Sequence, residues 1–132
     1  MSIADVKWLV PTFAGIAVRV AVGTYALWAN PDGVDGGGLV FLAGVTAFSC
    51  LPYGVTYLLT QHNAIRGATA ATGALAADLF GVFTGLVRPQ SSTAALAVVF
   101  MPLWNLLLVI PIAVVVATVI QRLHKHRGDK GQ

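Results

Sequence analysis

Residues 74–85 read ALAADLFGVFTG, and the only charge in that run is Asp78. An ionised carboxylate without a counter-charge is costly in any apolar setting. In a helix that crosses lipid, such a residue turns inward to a partner or lines a polar path. The rest of the chain favours that setting. Of its 132 residues 57% are hydrophobic and 10% charged, and there is no glutamate. Ordinary soluble domains carry roughly 25% charged residues, so this chain has too few to cover a water-facing surface. The expectation is an all-α integral membrane protein of one domain, resident in the cell membrane.

Working outward from Asp78, four apolar segments are expected to span the bilayer: 8–29, 39–60, 68–87 and 94–121. Each reaches the ~20 residues that a ~30 Å hydrocarbon core requires, and backbone groups in lipid must be bonded within the segment, so each should be a helix. The first run is too long for the h-region of a signal peptide and is interrupted by Arg19, so it reads as an uncleaved span. The links NPDGVDGGG, QHNAIRG and RPQSST are short and turn-like, with Ser91, Ser92 and Thr93 available to cap the fourth helix. Short links predict an up-down four-helix transmembrane bundle.

Charge sets the orientation. With the N-terminus in the cytosol, Lys7, Arg66, Arg122, Lys125, Arg127 and Lys130 lie inside and only Arg88 outside. That bias places both termini in the cytosol. Trp8, Trp28 and Tyr57 then fall near the interfaces. Residues 122–132 read as a basic cytosolic tail facing anionic lipid headgroups. The net charge of +3 is concentrated there rather than on an aromatic-interleaved face, which argues against nucleic acid as a partner.

The span register places four polar residues at one depth. Arg19 lies eleven residues after Trp8 and Asp78 ten after Ala68, so both sit ~15 Å in from the cytosolic side. Counted from the other side, Ser49 and Asn105 reach the same level, with Thr46 and Tyr53 flanking Ser49 by one turn. The candidate site is therefore a midplane layer of Arg19, Ser49, Asp78 and Asn105, in which Arg19 and Asp78 should pair. An unpaired charge there costs about 2.5–3.5 kcal/mol on insertion scales, which a partner offsets. The layer reads equally as internal glue and as a binding or permeation site.

A second pattern lies on the same helix. Gly73, Ala77, Gly81 and Gly85 recur every four residues, a small-residue seam that lets another helix approach closely, either within the chain or from a second copy. Pro52, Pro102 and Pro111 fall in the spans and can kink them, while Pro11 stands near a helix start.

Signals for catalysis are missing. The sequence holds no HExxH, GxSxG, P-loop or GxGxxG pattern, and its three histidines and single cysteine, Cys50, form no ligand set. No catalytic residue, metal or cofactor is expected. The leading expectation is a transport or permeation unit for an ion or small solute, working as a homo-oligomer or in a larger membrane complex. The alternative is a non-catalytic accessory, stabilising or immunity-type subunit that binds another protein within the membrane.

Overall fold

The computed structural model describes residues 3–29, 35–87 and 94–129, and all of these are helical except Asp35 and Asn63. Helix α1 runs Ile3–Ala29, α2 Gly36–His62 and α3 Ala64–Val82, which continues as a π-helical turn over Phe83–Val87. Helix α4, Ala94–Trp104, passes through a second π turn, Asn105–Val109, directly into α5, Ile110–Asp129. The chain is all-α. Three stretches are long and apolar enough to cross a membrane: Val6–Ala29, Gly36–His62 and Val99–Lys125.

Local chemistry explains the boundaries. Asp35 caps α2, its Oδ1 accepting from the Gly38 N–H at 2.7 Å. Asn63 ends α2 by donating its N–H to the Leu59 carbonyl and starts α3 by accepting from the Arg66 N–H. One residue thus serves as both caps. The seven-residue link expected at QHNAIRG shrinks to Asn63, because its polar residues complete the helix ends instead of leaving them. A methyl on Gly67 would run into the backbone of Thr60, so only glycine permits a turn this tight. Pro11 lies inside α1 rather than at its start, because the helix begins at Ile3. The basic segment expected as a tail stays helical to Asp129. Arg88, Lys130, the RPQSST link with its serine and threonine cap, and most of NPDGVDGGG lie outside the described residues.

The packing departs from a simple ring of four. Helix α3 touches α1, α2, α4 and α5, while α1 packs mainly on α2 and α3. The reason is visible in its sequence. Gly67, Ala70, Ala71, Ala74 and Gly81 are buried on it, and small side chains let all its neighbours come close. Over its described residues α3 is also less apolar than the three candidate spans. Its sheath of other helices makes that tolerable.

The residue distribution is inverted relative to a soluble protein. The buried set includes Thr12, Arg19, Ser49, Thr56, Thr60, Asp78 and Asn105, whereas Val40, Phe41, Phe80, Phe100, Trp104 and Leu107 are exposed. At most 22% of each candidate span is buried. Large exposed apolar areas mark surfaces that a membrane or another protein covers.

Candidate functional site

Helices α1, α2 and α3 and the π turn between α4 and α5 contribute to one polar cluster centred on Asp78. From α1, Arg19 donates through Nε to Asp78 Oδ2 at 2.8 Å and through Nη2 to Oδ1. From α2, the Tyr53 hydroxyl donates to Oδ2 at 2.5 Å. From the π turn between α4 and α5, Asn105 Nδ2 donates to Oδ1 at 2.7 Å. Asp78 is 1% exposed, Arg19 3%, and Tyr53 and Asn105 are fully buried. The fold brings Arg19 and Asn105 each into direct contact with Asp78.

The arrangement saturates the carboxylate. An ionised carboxylate offers about four lone-pair sites, and four donors fill them here. The Arg19 fork supplies two parallel charge-assisted bonds, which fix geometry as well as lowering energy. Asn105 Nδ2 also reaches the Ala74 carbonyl at 3.4 Å, so both interactions identify that atom as the amide nitrogen. Its Oδ1 is buried with no partner. The π turn that carries Asn105 closes with the Ile110 N–H on the Asn105 carbonyl. Pro111, next in the chain, has no N–H to continue an α-helical ladder. Such π turns are frequent at functional positions.

Ser49 is buried in the layer, but the α2 residue that reaches Asp78 is Tyr53, one turn further along. Tyr53 fits because Gly15 faces it on α1, and a Cβ at Gly15 would overlap the tyrosine ring. Gly15 stands four residues before Arg19 and so shares its helix face. That spacing was the available signal for the tyrosine slot. The same α1–α2 seam continues through Gly23 against Thr46 and through Thr12, whose hydroxyl lies 3.4 Å from that of Thr56.

The small-residue seam on α3 receives the chain's own last helix. A Cβ on Gly73 would stand 3.4 Å from Val109 and 3.7 Å from Ala113, and one on Gly81 would stand 2.7 Å from the Met101 methyl. Gly81 and Gly85 are buried and Gly73 and Ala77 half-buried.

Two open grooves flank the cluster without including it. One, of about 700 Å³, lies between α1 and α5 over α3 and is lined by Trp8, Thr69, Thr72, Gly73, Ile112 and Val116 among others. The second, of about 450 Å³, lies between α1 and α2 and includes Gly23, Thr46 and Cys50. Among the described residues no group of histidine, cysteine and acidic side chains is placed to hold a metal. The chain matches no protein-family model, and no curated protein or solved structure is similar to it at a significant level.

Proposed function

We propose that this chain is a four-span integral membrane protein with both termini in the cytosol, and that it serves as a non-catalytic accessory or stabilising subunit. The observation that carries the second part is the saturation of Asp78. A permeation site must offer ligands that exchange with the solute. This carboxylate has every acceptor site filled by donors of its own chain, within a layer that is 0–5% exposed. The cluster therefore reads as a lock that fixes the register of the helices. The bilayer assignment rests on the inverted burial pattern and on three apolar helices of spanning length. The orientation rests on Lys7, Arg66, Arg122 and Lys125 standing at one end of the helices.

A specific feature supports a second reading, transport. The unpartnered Asn105 Oδ1, beside the π turn, is a buried acceptor without a donor. A rearranged state could use it. Reconstitution into liposomes separates the two. The accessory reading expects no ion or proton flux above that of empty vesicles, and a membrane protein retained through gentle purification from the native membrane. Flux that disappears in Asp78→Asn would refute it in favour of transport.

A further inference from the structure

We infer that the groove between α1 and α5 is a binding site for one anionic phospholipid, with an acyl chain against α3 and the phosphate at Arg66. This rests on the bilayer reading above. Helices α1 and α5 do not close over α3, which leaves about 700 Å³ of open, almost wholly apolar space. That is within the roughly 300–1,000 Å³ of ordinary ligand sites. From Val109, at the end of the π turn, to Val116 on α5 the lining spans ~10 Å, enough for part of one acyl chain. Thr69 and Thr72 turn their hydroxyls back to the Ile65 and Ala68 carbonyls, so they present methyl groups rather than donors to the groove.

The headgroup end is cationic. Arg66 lies three residues before Thr69 and seven before Gly73, so it continues the groove's face of α3 by one turn. It makes no salt bridge among the described side chains, and its Nε is buried without a hydrogen-bond partner. Beside it, Gln121 of α5 reaches Asn63 at 3.2 Å, which brings the C-terminal half of α5, with Arg122 and Lys125, to this end. On α1, the Lys7 ammonium sits 5.3 Å from the ring centre of Trp8, a groove residue. Lys7, Arg66, Arg122 and Lys125 thus give this end four described positive charges. A lipid phosphate at this end would meet the cationic charge of Arg66 and its neighbours, and the tail would cover the apolar surface of the groove. A zwitterionic lipid carries the same phosphate, but its ammonium would be repelled by Lys7, Arg66, Arg122 and Lys125, so an anionic headgroup is preferred.

The test is native mass spectrometry of the full chain in uncharged detergent, with phosphatidylglycerol and phosphatidylcholine of identical chains. One phosphatidylglycerol should be retained preferentially. Arg66→Gln should lower the preference about tenfold, the worth of a lost charge-assisted hydrogen bond, while Arg66→Lys keeps most of it. Thr72→Phe, at an exposed groove position, should reduce retention of both lipids alike. Glycerol 3-phosphate, a headgroup without a tail, should not be retained. Equal retention of the two lipids, or an unchanged preference in Arg66→Gln, would overturn the site. So would retention of glycerol phosphate, or a dimer that Thr72→Phe dissociates. Release of the wild-type chain from membranes by alkaline carbonate would instead refute the bilayer reading itself.

Discussion

Replacing Gly15 with alanine probes the lock through a residue that makes no hydrogen bond in it. The new methyl would overlap the Tyr53 ring, so either the ring swings away from Asp78 or α1 moves off α2. Overpacking of this kind costs about 1–3 kcal/mol. Displacing the ring also breaks the tyrosine–aspartate bond. Hydrogen bonds to charged groups contribute about 1.5–3 kcal/mol in water-soluble proteins, yet side-chain bonds in a helical membrane protein average about 0.6 and reach about 1.7. Asp78 is charged and fully enclosed, which places this bond at the upper end, ~1–2 kcal/mol. The total expected for Gly15→Ala is therefore ~2–5 kcal/mol. Tyr53→Phe should lose only the ~1–2 kcal/mol of the bond. In a Tyr53→Phe background, Gly15→Ala should then lose only its steric part, giving a coupling of ~1–2 kcal/mol. Unfolding free energies in bicelles, measured for the two single variants and the double, supply all three values. A Gly15→Ala protein within ~0.5 kcal/mol of wild type, the range of an inert substitution, would refute the reasoning.

Two glycines of α3 should differ in a way that sequence alone does not suggest. Gly67→Ala meets the Thr60 backbone and should destabilise severely, whereas Gly81→Ala meets only the flexible Met101 side chain and should cost far less; thermal unfolding of both variants decides it. Gly81→Leu is expected to part α3 from α4 and lower the melting temperature clearly, and an unchanged value would move the seam elsewhere. For topology, in a Cys50→Ser background, a cysteine replacing Gly36 should label from outside intact cells and one replacing Gly131 should not; the reverse pattern would invert the protein. Asn105→Leu should lower stability by ~1–3 kcal/mol, because it takes one of four donors from a buried carboxylate, and a neutral result would show that Asn105 holds nothing in place.

Helix rise accounts for what could be read from sequence. Counting ~1.5 Å per residue along antiparallel spans brought Arg19, Asp78 and Asn105 to one level, and they do meet. The same count favours Ser49 over Tyr53, since it tracks Cα depth and ignores side-chain length. Four residues amount to ~6 Å of rise, a gap that a tyrosine crosses and a serine does not. The π turns are invisible to hydropathy, because NLLLV and FTGLV are as apolar as their surroundings. Only Pro111 marks the break at Asn105. The place of α3 at the centre was written in its glycines and alanines, but the repeat could not say whether the approaching helix belonged to this chain. The two-sided capping by Asn63 also exceeded what composition conveys, since histidine, glutamine and arginine around it suit a loop and a helix end equally.

The central claim is that Arg19 and Asp78 form a closed structural pair, and a double-mutant cycle measures it most directly. Removing one partner leaves a buried charge uncompensated, a loss of about 3–5 kcal/mol in soluble proteins. Arg19→Gln, Asp78→Asn and the double variant should be compared for unfolding free energy in one bicelle composition. The double variant should regain much of what each single one loses, with a coupling of ~2–3 kcal/mol. Additive single effects would show that the two charges do not hold each other, and the lock at the centre of this bundle would not exist.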